Sequence, residues 1–131
     1  IQHHFKDHIR SVDAVAFHPN LQLFVTSSLD RFIIIYDITT LIPTIKYKMK
    51  HKQRSTRIRA IAFHSCSFLF ATVSSDASTS LYDFKTSPPI MTHIVRHHTA
   101  PVISVAFHPS LPFLVTGAYD NSITLSHLNK L

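Results

Sequence analysis

The strongest constraint on this chain is that it repeats itself. The segment Val12-Asp13-Ala14-Val15-Ala16-Phe17-His18-Pro19 returns as Ile58-Arg59-Ala60-Ile61-Ala62-Phe63-His64-Ser65 and again as Val102-Ile103-Ser104-Val105-Ala106-Phe107-His108-Pro109, at spacings of 46 and 44 residues. Thirteen residues after each Phe stands an Asp, and seven residues beyond that Asp each copy reaches Tyr36-Asp37, Tyr82-Asp83 or Ser126-His127. Anchors held in phase over three copies mark a repeat architecture, in which one unit cannot bury its apolar face alone and stacks on its neighbours.

Each copy reads as strands and turns. Val12 to Phe17, Leu23 to Ser27 and Phe32 to Tyr36 are apolar or β-branched runs separated by Pro, Asn and Asp, the pattern of strand, turn, strand, turn, strand. A fourth strand fits Thr44 to Lys48 after the first copy and Ile90 to Val95 after the second, preceded by Pro43 and by Pro88-Pro89, residues that open a strand but do not sit in its middle. No helical periodicity runs for ten residues or more, which disfavours helical repeats of similar length. The run Phe32-Ile33-Ile34-Ile35 lacks alternation, so both its faces want burial and a sheet must lie on each side. Twisted four-stranded sheets repeated face to face about an axis make a propeller.

The expected fold is therefore all-β: three four-stranded antiparallel blades of a β-propeller over residues 1–131, with copies at approximately 8–52, 53–97 and 98–131 and with 1–7 as the outer strand of a neighbouring blade. Propellers have about four to eight blades, so three form an arc of something larger. Either further blades belong to a longer polypeptide, the reading that the Ile1 start favours, or copies join head to tail as a homo-oligomer. An isolated arc would expose two apolar sheet faces, which soluble monomers avoid.

Four features carry a resemblance: a His ahead of the first strand in Asp7-His8 and His97-His98, the Phe-His-Pro turn, a Thr before the turn Asp, and an aromatic-Asp pair closing the third strand. The sequence resembles the WD-repeat β-propellers. That resemblance implies structural hydrogen-bonded sets, His8, Thr26, Asp30 and Tyr36 in the first copy, Thr72, Asp76 and Tyr82 in the second, and His98, Thr116 and Asp120 in the third. It also implies a non-catalytic protein-protein interaction scaffold inside a multi-protein assembly, with other proteins as partners; a substrate receptor in a ubiquitin-ligase-type complex is an alternative. The copies depart from the family in several places. Tyr36 and Tyr82 stand for Trp, the third copy lacks the aromatic-Asp pair, Arg54 replaces the His, and Gly117 is the only glycine. Turns that want a positive φ must then use residues such as Asn20 and Leu21.

The His, Thr and Asp of each set look like a base, a hydroxyl and an acid, but each Thr falls in the middle of a strand with no Gly-rich elbow, so no catalytic residue and no enzyme is expected. His18, His64 and His108 recur at one turn position and spread around a ring, and the pairs His3-His4 and His97-His98 point to opposite faces, so neither a metal nor a cofactor is expected. The lone Cys66 fits a reducing, intracellular setting, cytoplasm or nucleus. The longest apolar run is five residues, far below the roughly 18 of a membrane-spanning helix.

Charge supplies the remaining signal. All seven acids are Asp, the net charge is +6, and seven of the thirteen Lys and Arg residues fall between 46 and 59: Lys46, Lys48, Lys50, Lys52, Arg54, Arg57 and Arg59. Alternation would set the four lysines on one face of an outer strand. Such a strip is either an edge strand protected against aggregation or a docking strip for an acidic protein segment, RNA or another polyanion. Only Tyr47 offers a ring for base stacking there, which does not support sequence-specific single-strand recognition.

Overall fold

The computed structural model describes residues 2–51 and 56–131. Strands β1 (Val12–Phe17), β2 (Leu23–Ser28), β3 (Phe32–Asp37) and β4 (Thr44–Lys50) form a first sheet in the order β1-β2-β3-β4. A second sheet repeats this with β5 (Ile58–Phe63), β6 (Leu69–Ser74), β7 (Thr79–Asp83) and β8 (Ile90–Val95). Among the described residues the third sheet has three strands, β9 (Val102–Phe107), β10 (Phe113–Ala118) and β11 (Ile123–His127), followed by a short 3-10 turn at Leu128–Lys130. Every pairing is antiparallel. The leading strands pack in series, β1 on β5 and β5 on β9, so the sheets stack as blades around one edge.

Burial between sheets explains why this sequence chooses blades. Ile33 and Ile35 join Val25, Ile61, Phe63 and Phe70 in a core between the first and second sheets, while Ala71, Leu81 and Leu114 close the gap between the second and third. Ile34 points the other way yet is equally inaccessible, as a strand without alternation requires. On that outward face Phe5 stacks on Tyr36 at 5.5 Å and Asp7 accepts from the Tyr36 hydroxyl at 2.8 Å. Of the outer strand expected over 1–7, described residues 2–7 make no strand pairing, and Phe5 and Asp7 lie against Tyr36 of the first sheet.

The arc leaves two apolar faces open, as a stack without neighbours must. Val15 and Phe17 are 68% and 74% exposed on the first sheet, and Ile123 and Leu125 are 79% and 66% exposed on the third. The two ends of the blades differ in how they are tied. At one end, which we call the His-turn end, Asn20 Nδ2 donates to Ser65 O at 2.9 Å and the Ser65 hydroxyl donates to Pro109 O. At the opposite, Asp-turn end, Arg57 joins Asp13.

Positive φ does not fall at Asn20 or Leu21. It falls at Arg31 (70°), Ala77 (71°) and Asn121 (66°), the residue after each turn Asp. Asn20 and Leu21 instead send their amides to His18 Nδ1, at 3.0 and 2.9 Å, and need no left-handed backbone. Gly117 serves close approach, since a Cβ there would come within 2.9 Å of Ser104 Oγ on the neighbouring strand.

Candidate functional site

The first set assembles around the turn that joins β2 to β3. His8 Nδ1 donates to Asp30 Oδ2 at 2.9 Å, and His8 Nε2 meets the Thr26 hydroxyl at 2.7 Å. The amides of Ile9 and Phe32 donate to the same carboxylate at 3.1 and 2.9 Å. Burial pushes the Asp30 carboxyl up, but the bonds from the Phe32 amide, His8 and the Ile9 amide outweigh it and hold it below the usual carboxylate range. The third set repeats the arrangement, with His98 Nδ1 3.1 Å from Asp120 Oδ2, His98 Nε2 2.9 Å from the Thr116 hydroxyl, and the Thr99 and Ser122 amides on Asp120. The Ser122 hydroxyl and the Thr99 amide hold Asp120 well below its ordinary value. Thr26, Thr116 and His98 are buried.

The second copy is built differently. The Ser74 and Ser78 hydroxyls and the Ser78 amide all turn to Asp76, and Arg96 Nη1 lies 3.5 Å from it. Burial raises the Asp76 carboxyl and these hydrogen bonds, with Arg96, bring it below the usual range. Thr72 is buried in β6 at the place of Thr26, and Arg54, at the place of His8, lies outside the described residues.

Two members of the expected sets do not join them. Tyr36 stacks on Phe24 at 4.7 Å and carries its hydroxyl to Asp7, not to Thr26, because a phenol places its polar atom at the far tip of the ring. Burial, followed by the bond to Asp7, raises that hydroxyl well above its ordinary value. Tyr82 stacks on Phe70 at 4.9 Å, and burial pushes its hydroxyl up to about 12; it makes no hydrogen bond to Thr72 or Asp76. Both tyrosines act as packing groups.

The described residues of the basic strip are divided between two sheets. Lys46, Lys48 and Lys50 lie on β4, the outer strand of the first sheet, whereas Arg57 precedes and Arg59 lies on β5, the inner strand of the second; Lys52 and Arg54 lie outside the described residues. Lysine alternation also breaks at Lys46. Tyr36 pairs with Ile45 and Ile35 with Tyr47, leaving Lys46 as the extra residue of a bulge, which redirects its side chain. Lys48 and Lys50 keep the alternation opposite Ile34 and Phe32, with Lys48 Nζ 4.6 Å from the Phe32 ring centre. Arg57 is committed elsewhere, its Nε and Nη2 donating to Asp13 Oδ1 at 3.0 and 2.7 Å across the gap between sheets.

Asp13 itself is a contact that the sequence signalled and its reading passed over. It is the bulge residue of β1, the place held by Arg59 in β5 and Ile103 in β9, so neighbouring copies present opposite charge at one repeat position. Its side chain is 4% exposed, and its second oxygen, Oδ2, is buried without a partner. Among the described residues no group of three or more His, Cys, Asp or Glu side chains is placed to hold a metal ion. No helix of the described residues is long and apolar enough to cross a membrane.

A family model described as WD domain, G-beta repeat, matches residues 1–37, 44–83 and 89–125. The chain belongs to the WD-repeat family. A comparison with curated proteins finds no match. WD repeats are in general non-catalytic interaction modules, and the scaffold kind of domain follows from the family. The second and third matched WD repeats each begin one strand before a sheet, so each gives the outer strand, β4 or β8, to one blade and further strands to the next. The His98 set sits where the chain crosses from β8 to β9, and the His8 set takes the matching place ahead of β1.

Proposed function

We propose that this chain is an arc of a WD-repeat propeller that works as a non-catalytic scaffold inside a multi-protein assembly, with further blades or subunits covering its two end faces. The observation that carries the reading is the pair of open apolar faces, Val15 and Phe17 on the first sheet and Ile123 and Leu125 on the third, which favour burial against protein. The Asp, His and Thr groups support the same reading. Their connectivity is that of a nucleophilic triad, but Thr26 and Thr116 are buried mid-strand, where no substrate carbonyl reaches the hydroxyl.

A photoreactive phenylalanine analogue placed at Phe17, and separately at Leu125, tests the scaffold. The expected outcome is efficient cross-linking of both positions to protein, either another part of the same polypeptide or a second subunit. Faces that react with solvent alone, or turnover of a substrate that depends on His98, would overturn it.

A further inference from the structure

The described arginines gather at one end of the blades. Arg10, Arg31, Arg57, Arg59 and Arg96, every arginine among the described residues, lie at the Asp-turn end, in or beside the loops that enter a sheet and the turns after β2 and β6. Lys46, Lys85 and Lys130 belong to the His-turn end, while Lys50, paired opposite Phe32, stands with the arginines. The acids at the arginine end are turned inward. Asp30 is engaged by His8, Asp120 by His98, Asp76 by Ser74 and Ser78, and Asp13 by Arg57, so they offset little of the outward charge.

Several of those arginines are presented outward. No ion pair among the described residues engages Arg10, Arg31 or Arg59, while Arg57 and Arg96 keep side chains 46% and 51% exposed beside their Asp partners. Arg59 is held out by a bulge between Ile58 and Ala60, a device that re-aims a side chain. It repeats the place of Asp13, whose partner Arg57 has Pro101 as its counterpart in the third copy, a residue with no charge to offer. Between the cations stand exposed apolar groups, Ile9, Leu29 and Tyr119, fixed at this end by the bonds Ile9 N to Asp30, Leu29 N to Ser11 O and Tyr119 N to Pro101 O.

We propose that the Asp-turn end is a docking surface for a protein segment in which carboxylates alternate with apolar side chains. This rests on the scaffold reading and names the chemistry of a partner. Guanidinium forks match carboxylates in a bidentate geometry that ammonium groups do not provide, and the interleaved Ile9, Leu29 and Tyr119 suit apolar side chains of the same segment. Nucleic acid fits less well, since the exposed rings beside these arginines, Tyr119 and His97, are few and unpaired bases require stacking platforms.

The test titrates the protein with a labelled synthetic peptide of alternating Glu and Leu, with its Gln-Leu counterpart, and with poly-uridylate RNA. One variant combines Arg10→Gln, Arg31→Gln and Arg59→Gln; another removes the same charge at the far end through Lys46→Gln, Lys85→Gln and Lys130→Gln. All three arginines are exposed or half-buried, and Arg10 and Arg31 join the turn hydrogen bonds through the backbone alone, so an unchanged melting curve is expected for both. The arginine variant weakens Glu-Leu binding about tenfold, the sum of three surface charge contacts of ordinary strength, the lysine variant leaves it unchanged, and the Gln-Leu peptide binds weakly to all. Equal loss in both variants, equal binding of the Gln-Leu peptide, no binding of the Glu-Leu peptide, or tighter arginine-dependent binding of the RNA would each overturn the proposal. Cross-linking from Phe17 and Leu125 would persist in any of these cases if the scaffold stands, which separates the two failures.

Discussion

The first and third sheets fasten their Asp turns in one way and the second sheet in another. All three turns share a carboxylate that accepts the amide two residues on, from Phe32, Ser78 or Ser122. All three place a non-glycine residue at positive φ between them, a conformation that costs on the order of 1 kcal/mol. The constant element is thus the carboxylate that holds a left-handed turn without glycine. What varies is the brace. In the first and third sheets a buried His and the amide after it tie the carboxylate to the incoming chain. In the second, serine hydroxyls and Arg96, at the end of the outer strand of the same sheet, surround it.

The largest expected effect separates these two braces. Asp30→Ala strips partners from the buried His8 and from two amides and should cost about 3 kcal/mol in urea unfolding. Asp76→Ala strips one amide, two hydroxyls that can rotate to other acceptors and an Arg side chain already half exposed, and should cost about half as much. Equal losses would show that the carboxylate alone matters and that the His brace adds nothing.

Next comes the link between the first two sheets. Asp13 is almost wholly inaccessible, and Arg57 is its bonded partner among the described residues, so Arg57→Met leaves a carboxylate buried without that counter-charge, whereas Asp13→Asn leaves an exposed arginine and a neutral amide. Breaking one side of a buried pair by stranding its inaccessible member is the more harmful choice. Calorimetry should find the lower melting temperature for Arg57→Met. The opposite order would mean that water reaches Asp13 and that the sheets are not joined through it.

Acid should act through two groups in succession. Burial holds His18 below its ordinary value, so the unfolded chain binds the proton first, and the stability tied to a neutral His18 declines as pH falls below about 6.5. Asp30, Asp76 and Asp120 are also depressed; their contribution is whole above the unfolded carboxyl value of about 3.9 and is lost as pH drops below it. His18→Phe should flatten the curve of unfolding free energy against pH just below 6.5 and leave the carboxylate limb in place. A limb unchanged by His18→Phe would show that this ring is not the first group to titrate.

How much of this was legible in sequence follows from periodicity. The repeat and the apolar runs led to the strands, their order and the stacking, because burial on both faces of Phe32 to Tyr36 leaves few other solutions. The His8 and His98 sets were what the family resemblance implied, and in the structure each His lies within hydrogen-bond reach of its Thr and Asp. Lys46 shows where such reading stops: an alternation argument assumes an unbroken pleat, and one extra residue opposite the step from Ile35 to Tyr36 redirects the side chain. The strip from 46 to 59 meets a related limit, because its described residues pass from the outer strand of one sheet to the inner strand of the next. Positive φ was sought in the Pro-Asn turn, where a His side chain already satisfied the amides, and was found after each turn Asp instead.

The smallest effect is expected at the His-turn end and concerns the same residue type in two settings. His18 and His108 each accept two amides through Nδ1, from Asn20 and Leu21 or from Ser110 and Leu111. This fixes the proton on Nε2 in the neutral ring. His18 also packs against Phe63 and Phe84 of the next sheet at 5.1 and 6.0 Å, with Nε2 buried and unbonded, while His108 is exposed because no further sheet follows it here. His18→Ala therefore removes a turn acceptor and an inter-sheet ring and should cost about 2 kcal/mol. His108→Ala removes the acceptor alone at a solvated turn and should cost about 0.5 kcal/mol. Once a neighbouring blade or subunit covers the third sheet, the cost at His108 should rise toward that at His18. The gap between the two variants, measured in the isolated arc and in the assembly, thus reports whether that face is filled by another blade.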